Sequence, residues 1–140
     1  MVYFSIKMSI NETKLWKTIN KVQKPYSDWF LFRLESKTIN GIPDVYGCIK
    51  SSSFWLELKC SNAKDKGLSK YQWNWHIDYF RSGGKSYILN YLATQSKLQL
   101  LAIHEPRTLH QIREWTFDRE PGTKDLEKHI IIILEFIANC

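Results

Sequence analysis

Asp44, Glu57 and Lys59 are charged side chains set in apolar, sheet-forming sequence, GIPDVYGCIKSSSFWLELK over residues 41–59. Such groups are costly to bury without partners. Read as a strand, Phe54-Trp55-Leu56-Glu57-Leu58-Lys59-Cys60 alternates. Phe54, Leu56, Leu58 and Cys60 then share the packing face, while Trp55, Glu57 and Lys59 share the other. The link Lys50-Ser51-Ser52-Ser53 is short enough to fold this strand back on Asp44–Ile49 as an antiparallel hairpin, which returns Asp44 to the neighbourhood of Glu57 and Lys59. Two carboxylates at one point repel unless a cation lies between them. Mg²⁺ suits that place, because it takes one or two carboxylates and completes its shell with water and phosphate oxygens at about 2.1 Å. An incompletely filled shell of this kind fits phosphodiester hydrolysis, in which a cation polarises a nonbridging oxygen, holds the attacking water and offsets developing charge. Lys59 is expected to orient the water or the phosphate and to stabilise charge. A general-base role for it, which needs the ammonium to release its proton, stays open.

The elements that must position these groups are short and mixed. Ser9-Ile10-Asn11-Glu12 has the form of a capping box, and Leu15, Trp16, Ile19 and Val22 follow at helical spacing, predicting a helix from about Ser9 to Lys21 that Pro25 keeps from extending. Trp29–Leu34, Asp44–Ile49 and Phe54–Cys60 read as strands. Ser69 caps a predicted helix to Arg81 that Gly83-Gly84 terminates, and strands follow at Tyr87–Leu92 and Leu98–His104. Pro106 suits the first turn of a short helix ending near Trp115. Thr123 can cap a last helix, with Leu126, Ile130, Ile133 or Leu134, and Ile137 on one face. Because Ile130–Ile133 is apolar all round, this last segment also fits a strand, or a helix buried against a second subunit. The order α-β-β-β-α-β-β-α-α predicts an α/β fold with a mixed central sheet flanked by helices.

Length and composition confine the reading further. The chain of 140 residues suits one domain, and 44% hydrophobic with 24% charged residues is a folding composition. The net charge of +6 lies entirely in residues 1–70, where twelve basic side chains face six acidic ones, whereas residues 71–140 carry eight of each. A localised basic excess suits a polyanion such as nucleic acid. Cys48, Cys60 and Cys140 form an odd set without CxxC spacing, so neither a disulfide framework nor a zinc knuckle is expected, and a reducing interior fits. The longest apolar run, Ile130–Leu134, is too short for a membrane span, and no targeting signal is visible. Lys outnumbers Arg fifteen to five, the bias of an AT-rich genome, and a phage origin with work in the host cytoplasm is consistent with it.

The motifs together carry a resemblance. Pro43-Asp44 followed by Glu57-Leu58-Lys59 resembles the signature of the PD-(D/E)xK nuclease superfamily. Gly41-Ile42-Pro43-Asp44, Gly67-Leu68-Ser69-x-x-Gln72, and Gly84 ahead of Tyr87-Ile88-Leu89 are similar to its VRR-NUC branch, which has kinship with Holliday-junction resolvases. The likeness covers roughly residues 9–92. It implies a restriction-endonuclease-like core at about 9–104, with a C-terminal helical extension at about 105–140 that matches nothing in the family. It also implies Asp44 and Glu57 as metal ligands with the Leu58 carbonyl, Lys59 as the catalytic lysine, Gln72 as an auxiliary catalytic residue, and Glu12 as the acidic residue of the first helix. Gln72 equally suits a first helical turn, and Glu12 the capping box. Lys64, Lys66 and Lys70 are candidates for phosphate contact or plain solubility residues. Tyr71, Trp73, Trp75 and Tyr79 fit the core better than base stacking, and the four histidines show no ligand spacing. The expectation is a Mg²⁺-dependent DNA endonuclease, with Mn²⁺ able to substitute, acting on branched or structured DNA as a homodimer. A noncatalytic DNA- or protein-binding module on the same fold, and an RNA-directed nuclease, are the alternatives.

Overall fold

The computed structural model describes residues 9–35 and 39–140. It contains α1 (Glu12–Gln23), β1 (Trp29–Arg33), β2 (Val45–Ile49), β3 (Ser52–Lys59), α2 (Lys70–Arg81), β4 (Ser86–Leu92), β5 (Lys97–His104), β6 (Thr108–Thr116) and α3 (Thr123–Ala138). The strands form one six-stranded sheet in chain order. Every neighbouring pair is antiparallel except β3 and β4, which are parallel and joined through α2. A parallel pair cannot close through a tight turn, so the crossover helix follows from the topology. This is an α/β fold with a mixed sheet flanked by helices.

The β2–β3 hairpin turns on Lys50 and Ser51, both at positive φ (49° and 71°), which matches the twist of the strands it joins. The main core lies between the sheet and α1 with α3. Leu15 and Ile19 of α1, Leu56 and Leu58 of β3, and Leu126, Ile130, Ile133, Leu134 and Ile137 of α3 are buried there. Full burial of each such side chain stabilises by about 1.5–3 kcal/mol. α2 covers the opposite face over a smaller cluster of Leu68, Ile77, Ile88, Leu101 and Ile103.

Three sequence expectations change. The first helix begins at Glu12, capped by Asn11, whose carboxamide accepts from the Lys14 N–H at 2.8 Å. Ser9 is not the cap, because the Ile10 N–H is drawn off to Glu120 Oε1 at 2.9 Å and the chain there stays extended. Residues 108–116 are a strand and not a helix. Leu109, Ile112 and Trp115 recur every third residue, yet a bulge opposite Leu100 and Leu101 shifts their side of the sheet. Leu109 therefore packs under α2, while Ile112 and Trp115 pack against the main core. Residues 105–140 are thus not a helical extension, since β6 joins the sheet and α3 completes the core. The last segment is a helix whose apolar stripe is buried on the chain's own sheet and on α1, with Ile132 left outward. That stripe is accounted for without a second subunit.

Candidate active site

The hairpin register sets Val45 beside Leu56, so Asp44 arrives level with the C-terminal half of β3. There its Oδ2 accepts the Leu58 N–H at 3.0 Å. The N–H and C=O of a strand residue leave from the same edge. The Leu58 carbonyl accordingly faces the Asp44 side, where β2 has already ended at Val45. Alternation along β3 sends Phe54, Leu56 and Leu58 into the main core and leaves Trp55 and Glu57 towards α2.

Glu57 is 2% exposed. A carboxylate buried to this degree needs donors, and α2 supplies one. The Gln72 Nε2 donates to Glu57 Oε1 at 2.9 Å. The same Gln72 closes a capping box at the start of α2, its Oε1 accepting the Ser69 N–H at 2.9 Å while its own N–H donates to Ser69 Oγ at 3.2 Å. The cap fixes which end of the amide is oxygen and so aims the NH₂ at Glu57. Gln72 is thus a first-turn residue, as one expectation had it, and its side chain bridges the Ser69 cap and Glu57. Gly41 keeps the Asp44 loop against this turn. At φ +84° it lies so near α2 that a Cβ would stand 2.1 Å from the Tyr71 carbonyl oxygen.

Lys59 reaches from the end of β3 to the Gly67 carbonyl, donating at 3.4 Å. Lys64 and Lys70 are exposed, the latter with its ammonium 5.8 Å from the Tyr71 ring centroid. Lys66 is 9% exposed. Glu12 is exposed in the first turn of α1. The Cys60 thiol is pushed up to about 12, first by burial and then by the Glu12 charge. Among the described residues no three His, Cys, Asp or Glu side chains converge, so Glu12 is not gathered with Asp44 and Glu57. The nearby aromatics form a ladder. Tyr46 meets Trp55 at 5.3 Å, Trp55 meets Trp75 at 5.6 Å, and Trp75 stacks on Tyr79 at 4.8 Å. Trp75 and Tyr79 thus pack with one another and the sheet, as expected, while Tyr71 points outward.

A cavity of about 840 Å³ opens beside this site, lined among others by Lys64, Lys66, Trp73, Leu101, Arg107 and Gln111. Arg107 and Gln111 escaped the sequence reading because their segment was read as a helix. The strand-favouring types Thr108, Ile112, Trp115 and Thr116 were the available sign of a strand. A polar relay floors this region. The Ser61 N–H and C=O bond the Asn90 side chain at 2.9 and 3.0 Å, Asn90 donates to Gln99 at 3.0 Å, Gln99 to Gln111 at 2.7 Å, and Gln111 to Glu114 at 3.1 Å.

The donors at the end of β3 are two carboxylates and a backbone carbonyl, all hard oxygen ligands. That set fits Mg²⁺, which needs no third side chain and retains water or phosphate oxygens. No helix among the described residues is long and apolar enough to cross a membrane. No model of a known protein family matches the chain, and no curated protein sequence matches it.

Proposed function

We propose that this chain is a Mg²⁺-dependent endonuclease with a restriction-endonuclease-like core, hydrolysing phosphodiester bonds of branched or structured DNA in the cytoplasm. The observation that carries the reading is that Asp44, seated on the Leu58 N–H, and Glu57, held by Gln72, come from two strands to one end of the sheet, with Lys59 on the same strand as Glu57. Asp44, Glu57 and the Leu58 carbonyl would hold the cation, which when bound supplies Lewis-acid activation at the scissile phosphate. Gln72 fixes the Glu57 rotamer. Lys59 places a positive charge beside the phosphate and the attacking water, where negative charge accumulates during hydrolysis. Lys64, Lys66 and Lys70 attract the backbone of the substrate. Mn²⁺ should replace Mg²⁺, having similar oxygen-ligand chemistry.

The test is a cleavage panel of four-way junction, linear duplex, single-stranded DNA and single-stranded RNA, each with Mg²⁺ or with chelator. Junction cutting that requires Mg²⁺ and vanishes in Asp44→Asn and Lys59→Ala supports the proposal. Normal cutting by those variants refutes it. Chelator-insensitive binding without nicks would indicate the noncatalytic module, and preferential RNA cutting the RNA-directed nuclease. Light scattering addresses the homodimer, which a two-strand cut in register would use.

A further inference from the structure

The cavity beside the carboxylates contains a cation in an unusual setting. Lys66 lines it at 9% exposure, and its ammonium makes no hydrogen bond or ion pair among the described residues. Asp65 also lines the cavity, where its carboxylate accepts the Gly67 N–H at 2.9 Å and makes no ion pair with Lys66. The nearby Lys97 is repulsive, and burial together with that charge pulls the Lys66 pKa below its ordinary value. The Lys66 side chain is mostly covered and its ammonium has no carboxylate in ion-pair contact among the described residues, so an anion entering the cavity supplies the missing counter-charge.

The remaining walls indicate what the anion is attached to. Trp73 is half-buried and presents part of its ring to the cavity, with the Arg107 guanidinium 5.8 Å from the ring centroid. Leu101 and Leu109 make the adjoining wall apolar, and Lys64 and Arg107 add charge at the rim. Charge beside a recessed aromatic ring is the combination that binds unstacked bases together with their phosphates. A regular duplex keeps its base faces stacked and cannot present one to Trp73. Two lining residues adjoin the carboxylate site along the chain. Lys66 precedes the Gly67 whose carbonyl receives Lys59, and Trp73 follows the Gln72 that holds Glu57.

We infer that this cavity binds an unpaired nucleotide of the DNA strand, with its phosphate on Lys66 and its base against Trp73, so that the substrate is recognised by single-stranded character next to the cut. The inference rests on the nuclease reading for its biological sense, but its test does not depend on cleavage. Binding of a fluorescent fifteen-nucleotide oligothymidylate and of a fifteen-base-pair duplex would be followed by anisotropy in chelator, across a salt series. Lys66→Met and Trp73→Ala are expected to weaken the single strand at least tenfold and the duplex less than threefold. Lys66→Arg should retain single-strand binding. Lys66→Met should also lower the slope of log affinity against log salt by about 0.7, the value for one lost single-strand phosphate contact. Arg107→Ala, at an exposed position, serves where a core variant fails to fold by circular dichroism, and should weaken the single strand selectively too. Folded variants that bind the oligothymidylate within twofold of the parent, or lose duplex affinity equally, overturn the inference. Lys66-dependent single-strand binding by a protein that never cuts DNA supports the cavity and refutes only the nuclease.

Discussion

Replacing Gln72 by Ala removes two interactions that can be separated. One is the reciprocal half of the capping box, in which Gln72 Oε1 accepts the Ser69 N–H while the backbone N–H of residue 72 keeps its bond to Ser69 Oγ, and the other is the Gln72 Nε2 to Glu57 Oε1 bond of 2.9 Å. Loss of a helix cap costs about 1 kcal/mol. Loss of a hydrogen bond to a charged group costs about 1.5–3 kcal/mol, and at 2% exposure Glu57 has little water with which to recover it. Ser69→Ala removes the side-chain acceptor of the cap and leaves the Glu57 bond. Urea denaturation at pH 7 should therefore place Ser69→Ala about 1 kcal/mol below the parent and Gln72→Ala about 2–4 kcal/mol below it. On activity the two should part further. Groups that orient a metal ligand are worth about 10–100-fold in metal affinity or rate. The Mg²⁺ concentration for half-maximal cleavage should accordingly rise about tenfold or more in Gln72→Ala and hardly at all in Ser69→Ala. Equal destabilisation of the two variants, with unchanged Mg²⁺ dependence, would show that Gln72 is only a cap.

Asp44→Asn keeps an oxygen that can accept the Leu58 N–H, so it should lose cleavage while staying within about 1 kcal/mol of parental stability. Asp44→Ala, which orphans that N–H, should fall by about 1–3 kcal/mol in the same denaturation assay. Gly41→Ala forces a Cβ to 2.1 Å from the Tyr71 carbonyl at φ +84°, and should destabilise by more than about 2 kcal/mol while impairing cleavage through displacement of the Asp44 loop. His76 is fully buried, with Nδ1 2.8 Å from Ser86 Oγ, and burial lowers its pKa to about 4 from 6.5. Between those values the unfolded chain takes up the proton and the folded one does not, so stability is full above pH 6.5 and declines as the pH falls towards 4. The full loss is of order 3 kcal/mol, and His76→Gln should flatten the fall of the urea midpoint over that interval.

Local signals gave the site's scaffold. Alternation along Phe54–Cys60 and the short link before it placed Glu57 opposite Asp44, and Ser69-x-x-Gln72 marked the start of α2. Signals from distant sequence were invisible. Glu120 takes the Ile10 N–H across 110 positions, moving the first cap from Ser9 to Asn11. The bulge in β6 gave Leu109, Ile112 and Trp115 a helix-like spacing although they lie on a strand. The cavity was hidden for the same reason, since its walls come from the 64–66 loop, α2, β5 and β6. That the Gln72 side chain bonds both the Ser69 N–H and Glu57 was not legible in spacing, because it depends on how α2 sits over β3.

The amide relay across the sheet has a direction, with each NH₂ pointing outward from β4 until Glu114, which can only accept and is closed by Lys97 at 2.7 Å. Asn90 pairs with Gln99 and Gln99 with Glu114 in the ladder itself. Sliding β4 against β5 by one residue would set Asn90 against Leu98 or Leu100, and sliding β6 would set Gln99 against Arg113 or Trp115, turning half the row to the wrong side. Only one alignment of β4, β5 and β6 satisfies the whole row. The polar thread therefore works as an indexing mark, choosing among strand pairings that hydrophobic burial alone would leave nearly equivalent.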